Sequence, residues 1–177
     1  MKLAWFGGMT IRIHIGGAIL VLDPAGAPAG IDAAELVSGA DVSIAGFGAG
    51  LPRVDGGSWK PRKVPRLLDE GAALPEVEAL SLGEGAALVD AIGEAPLVLV
   101  RGPAPAMGRW AESAVVVLLG NGPQLAALGE AMLEERAPKL LALAGDEAAV
   151  DLAIPALRDR LDGTGLVAME AGLALEV

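Results

Sequence analysis

Few residues in this chain are equipped for chemistry. It carries a single histidine, His14, and no cysteine. Thiolate zinc sites, iron–sulfur ligation, disulfides and a cysteine nucleophile are therefore excluded, as is any centre that needs two imidazoles from one chain. His14 falls on the polar side of an alternating segment with no partner base nearby in sequence, which favours a structural or incidental role over general acid–base work. Asp23 closes an apolar run and precedes Pro24; a carboxylate there suits a turn or the rim of a pocket.

The loop Gly46-Phe47-Gly48-Ala49-Gly50 follows an apolar segment, an arrangement that in dinucleotide-binding proteins lets backbone amides approach a pyrophosphate. Here the third glycine of that pattern falls on Leu51, and Pro52 removes a further amide donor. Nucleotide binding is not the expected use of the loop.

The basic residues are concentrated. Arg53, Lys60, Arg62, Lys63 and Arg66 lie within 14 positions, opposed only by Asp55, and Trp59 sits among them. Arg and Trp are enriched at interface hot spots, so this segment reads either as a docking surface for an acidic partner or an anionic ligand, or as a solvated loop. Trp5 reads as core, whereas Trp110, between Arg109 and Ala111, reads as an exposed residue that could contribute to a protein interface.

The elements that must position these residues alternate along 177 residues, a length that suits one domain spanning 1–177. Thr10–Ile15 has the period-2 pattern of a half-buried strand, with Ile11, Ile13 and Ile15 on one face and Thr10, Arg12 and His14 on the other. Gly16-Gly17 predicts a tight turn into the apolar run Ala18–Leu22, and Lys2–Phe6 is a third strand of the same group. A short helix over Ile31–Val37, stopped by Gly39, and a strand over Asp41–Ala45 follow.

Strands are expected over Glu76–Leu82, Pro96–Arg101, Ser113–Leu119 and Lys139–Ala144, with an amphipathic stretch between the first two. Helices are expected over Gln124–Arg136 and Glu147–Leu161, and a closing hairpin over Gly165–Val177. The class is α/β or α+β.

The net charge of −10 disfavours nucleic acid and anionic membranes as partners. No apolar run is long enough for a membrane span and no signal-peptide core follows Met1, so a cytoplasmic location is expected.

Several of these segments carry a resemblance. The run from Met1 through Trp5-Phe6-Gly7-Gly8, the strands Ile11–Ile15 and Ala18–Leu22, Asp23-Pro24, the Gly120-Asn121-Gly122 turn and the final Glu170–Val177 together resemble the metallo-β-lactamase superfamily. The nearest branch is that of the small metal-dependent hydrolases related to ascorbate-phosphate lactonase. The resemblance implies a shortened αβ/βα sandwich.

It also implies where a metal centre would lie: a His-x-His-x-Asp-His loop, an earlier histidine, a bridging aspartate and two further histidines. The loop's polar positions correspond to Phe47, Ala49, Leu51 and Pro52, the early histidine to Gly8, and the aspartate to Asn121. Of the matched positions, Asp23 alone keeps a carboxylate. Such a residue set cannot hold a divalent ion, so the expectation is a pseudoenzyme with no cofactor and no catalytic residue. It would act as a binding or assembly subunit, its partner another protein or a second copy. The alternative is a hydrolase-like enzyme or small-molecule binder using a remodelled pocket at the former metal site.

Overall fold

Strand β1 (Lys2–Gly7), β2 (Thr10–Ile15) and β3 (Ala18–Leu22) form an antiparallel meander in which Leu3 stands opposite Ile13 and Ile13 opposite Leu20. The computed structural model describes residues 1–47, 50–63 and 76–177. Gly16 and Gly17, at φ +55° and +80°, supply the two left-handed residues that a two-residue hairpin needs to match strand twist. Ile11 and Ile13 are fully buried and His14 is exposed, as the alternation predicts. Thr10 departs from it: it is buried, because its hydroxyl donates to the Asp23 carbonyl at 2.9 Å and is thereby satisfied away from water.

Helix α1 (Ala33–Val37) starts at Asp32, whose carboxylate accepts from the Ala34 amide at 2.8 Å. Its last turn is held over the outer face of the meander by Arg12, which donates to the Leu36 carbonyl at 2.5 Å and the Ser38 carbonyl at 3.0 Å. The helix ends at Ser38, one residue before Gly39. Strand β4 (Val42–Ile44) then adds parallel to β3.

A second sheet holds β5 (Val77–Gly83), β6 (Ala86–Ala91), β7 (Leu97–Val100), β8 (Val115–Leu119), β9 (Leu140–Ala144) and β10 (Gly165–Ala168), in the order β10-β9-β8-β7-β6-β5. Strands β7 to β10 run parallel, linked after β8 by α2 (Gly122–Glu135) and after β9 by α3 (Glu147–Leu157). The central strands are buried on both faces, which is why Val115–Leu119 reads as a continuous apolar run.

One face of this sheet packs Val116, Leu118, Leu141 and Leu143 against Leu125 and Met132 of α2 and Leu157 of α3. The other face packs Val115, Val117, Leu97 and Leu99 against Leu3, Ile11, Ile13 and Leu20 of the first sheet. The layers therefore run α1, five strands, six strands, then α2 with α3. The two helices approach closely at Gly129, where a Cβ would lie 2.6 Å from a Leu157 methyl carbon.

Two expectations are corrected. The stretch between Glu76–Leu82 and Pro96–Arg101 is not an amphipathic segment but strand β6, all six residues of which are buried; it pairs on both sides and so needs no polar face. The closing hairpin is also not formed. Strand β10 joins the second sheet beside β9, whereas β11 (Ala174–Glu176) crosses to the first sheet and pairs antiparallel with β1. The Ala171-Gly172 turn thus bridges the two sheets, with the Gly172 amide donating to the Trp5 carbonyl at 2.7 Å.

Candidate functional site

The carboxyl ends of β1, β3 and β4 in one sheet and of β7 to β10 in the other open on the same edge of the sandwich. Trp5 meets Met169 there, and Arg101 meets Phe47. This is the edge onto which the residues Gly8, Asp23, Phe47 and Asn121 fall.

Each has a local structural occupation. Gly8 sits in the β1–β2 turn at φ +54°, its carbonyl accepting from the Trp5 indole at 3.1 Å. Asp23 has left-handed backbone at φ +49° and opens a 3₁₀ turn over Pro24–Gly26, with its amide bonded to the Ile44 carbonyl at 2.8 Å. Its carboxylate folds over Gly26, leaving no room there for a Cβ.

Phe47 is buried in the core between the sheets, Leu51 packs against that core, and the Arg101 guanidinium lies 5.5 Å from the Phe47 ring centroid. The Pro52 carbonyl accepts from the Ser81 amide at 2.8 Å. Ala49 lies outside the described residues.

Asn121 caps α2. Its side-chain oxygen accepts from the Gln124 amide and the Gln124 side chain accepts from the Asn121 amide, both at 3.1 Å. This reciprocal capping box accounts for the asparagine without any ligand. Among the described residues no group of three or more His, Cys, Asp or Glu side chains is placed to hold a metal ion. The side chains at the matched positions supply too few donors for a divalent ion.

No protein-family model, curated protein or solved structure matches this chain.

His14 is remote from that edge. It stands near the carboxyl end of β2, which runs antiparallel to β1 and β3, and so lies at the opposite end of the first sheet, beside Lys2 and Ile19. The imidazole and the Asp23 carboxylate do not share a site.

The described part of the basic segment, residues 53–63, runs as a strap along the second sheet. Val54 donates to the Ser81 carbonyl at 2.9 Å and Arg53 bridges β5 in parallel, closing that edge of the second sheet. The Gly56 carbonyl accepts from the Gly108 amide at 2.9 Å and from the Trp110 indole at 2.7 Å. Trp110, expected at the surface, is therefore buried, since its one polar atom has a partner and its ring meets Trp59 edge-on at 4.8 Å.

Arg62 is likewise turned inward, onto Asp90 and Glu78. Arg53, Lys60 and Lys63 are exposed, and Arg66 lies outside the described residues. Within the strap, the Ser58 hydroxyl and the Gly57 amide both donate to Asp55 and hold its carboxyl below the usual 3.8.

Sequence reasoning missed a crevice of about 640 Å³ beside the matched positions, lined by Trp5, Val150, Met169, Asp146, Asp151 and Glu170 among others. Its one sequence signal was Glu147 and Asp151, four apart on a helix and so on one face.

The described residues contain no helix long and apolar enough to cross a membrane.

Proposed function

We propose that this chain is a metal-free member of the metallo-β-lactamase fold that acts as a binding or assembly subunit. The observation that carries the reading is what occupies the edge of the sandwich. Phe47 and Leu51 stand where the resemblance would put metal ligands, and both pack into the inter-sheet core. Asn121, at the position of the bridging aspartate, is engaged as a helix cap. Neither apolar side chain has an electron pair to offer a cation.

The layer order supports the fold assignment. Helix, five-stranded sheet, six-stranded sheet and helix pair follow one another, and the last strand returns to the first sheet. The partner-facing residues in this reading are the exposed Arg53, Lys60 and Lys63, with Trp59 and Arg62 anchoring the strap that presents them. The crevice of about 640 Å³ favours a second reading, in which the remodelled edge takes a small molecule.

Thermal unfolding with added zinc or manganese tests the proposal, because any ion bound by the native state alone raises the midpoint. An unchanged midpoint is expected, and a rise of several degrees overturns the metal-free reading. Light scattering of the wild type and of Lys60→Glu/Lys63→Glu tests assembly. Loss of a defined oligomer or partner complex in the variant is expected, and unchanged association removes the strap from the interface.

A further inference from the structure

The second sheet ends differently at its two edges. At β5 the strap bridges Ser81 through Arg53, whereas at β10 no strand among the described residues pairs with the open side. We propose that the β10 edge docks a second copy of this chain, antiparallel and about a twofold axis, so that the second sheets of the two copies become continuous. The inference rests on the assembly reading above and names its partner and its surface, at the far edge of the sheet from the strap.

The backbone of β10 is placed for this. The Gly165 amide donates to the Lys139 carbonyl at 3.0 Å and the Met169 amide to the Leu143 carbonyl at 2.8 Å, both toward β9. Alternate residues of a strand turn their amides and carbonyls to opposite sides, so those of Leu166 and Ala168 point away from the sheet. With the twofold axis beside Val167, Leu166 of each copy stands opposite Ala168 of the other, and each such pair exchanges both backbone bonds.

The edge carries none of the usual guards. Gly165–Ala168 has no charged side chain, no proline and no shift of register against β9, the devices that ordinarily keep exposed edges from pairing. The free edges of the first sheet differ: β4 and β11 are three residues long, and β11 carries Glu176. Gly165 and Ala168 are exposed, and Leu173, 60% exposed, stands in the turn that leads from β10 to β11.

Charge sets the direction of docking. Helix α3 crosses back between β9 and β10, so Glu147 and Asp151 near its start stand with Glu170 at the carboxyl end of β10, where no Lys or Arg lines the crevice. Arg158 and Arg160 follow α3 at the amino end, interleaved with Asp159 and Asp162, and all are exposed. Arg158 meets only its neighbour Asp159, at 3.7 Å, and Arg160 is in no ion pair among the described residues. Parallel docking sets acidic end against acidic end. Antiparallel docking sets the two arginines of each copy beside the acidic end of the other.

Sedimentation velocity of the full chain over a concentration series tests the proposal. A dimer whose share grows with concentration and shrinks at high salt is expected, with hydrogen exchange slowed at the Leu166 and Ala168 amides in the dimer. Ala168→Pro removes one outward amide and spares the bonds to β9, and it should weaken dimerisation about tenfold or more. Ala168→Lys guards the same edge without proline and should do likewise, with circular dichroism confirming that each variant is folded. Arg158→Glu/Arg160→Glu should also weaken the dimer, and adding Asp151→Arg/Glu170→Arg should restore it.

A wild type that stays monomeric to about 1 mM overturns the proposal, as do folded edge variants that dimerise like the wild type. Failure of the charge exchange to restore the dimer overturns the antiparallel direction. A dimer that Lys60→Glu/Lys63→Glu dissolves and Ala168→Pro does not puts the second copy on the strap, which refutes this edge and keeps the assembly reading.

Discussion

The guanidinium of Arg62 lies along Asp90: Nε donates to Asp90 Oδ2, and a terminal nitrogen donates to the Asp90 carbonyl at 2.9 Å. Asp90 stands directly across from Glu78 in the β5–β6 register, and Arg62 also reaches Glu78 at 3.5 Å. Two carboxylates on one face of neighbouring strands thus share one cation brought by the strap. Asp90 is 1% exposed, and among the described residues its Oδ1 has no hydrogen-bond partner, so the arrangement depends on Arg62.

Removing Arg62 should therefore destabilise the fold strongly. Arg62→Ala leaves a buried carboxylate uncompensated and is expected to cost about 3–5 kcal/mol. Arg62→Met/Asp90→Leu, which removes both charges, should cost less than either single change. Urea unfolding of Arg62→Ala, Asp90→Leu and the double variant checks this; a double variant worse than Arg62→Ala contradicts it.

Trp110 ties the strap to the segment before β8. Trp110→Phe keeps most of the buried ring but leaves the Gly56 carbonyl without its 2.7 Å indole donor. A loss of about 1 kcal/mol is expected, together with a changed near-ultraviolet dichroism from Trp59, whose ring packs edge-on against it. An unaltered spectrum would place the two rings apart.

Asn121 separates a structural from a metal-binding role. Asn121→Ala should lower stability by about 1 kcal/mol through loss of the cap, and Asn121→Asp should retain it, since aspartate caps equally well. Asn121→Asp also restores the carboxylate that the resemblance places there, yet it should acquire no zinc affinity, because Phe47 and Leu51 add no donors. Equilibrium dialysis against zinc reads this directly, and stoichiometric uptake would contradict it.

Much of the fold was legible because its signals are local. Ile11, Ile13 and Ile15 alternate, Gly16-Gly17 permits only a tight turn, and Asp32, Asn121 and Asp146 each precede a helix whose amide they cap. What was not legible depends on pairing between distant segments. Ala86–Ala91 is rich in alanine and contains Asp90, so nothing in its own composition marks it as a buried strand; its burial comes from flanking strands and its charge is met by Arg62. The last two strands read as a hairpin because a turn joins them, but β11 pairs with β1 at the other end of the chain. The same limit hid the candidate crevice, whose floor and rim come from β1, α3 and the turn after β10.

Asp55 gives a pH-dependent signature of the strap. Its carboxyl is held below the ordinary 3.8, first by the Ser58 hydroxyl and then by the Gly57 amide. A depressed value means that the fold favours the charged form. That contribution is complete above 3.8 and is lost as pH falls through the lower folded-state value. In a carbon-detected NMR titration the Asp55 midpoint should lie below 3.8, and Ser58→Ala should move it upward. A midpoint indifferent to Ser58 would contradict the hydrogen-bonded geometry.

The metal content of the chain, purified without added metal or chelator and measured by elemental analysis, tests the central claim most directly. Far less than one zinc, manganese or iron per chain is the predicted result. One tightly held ion per chain would contradict it.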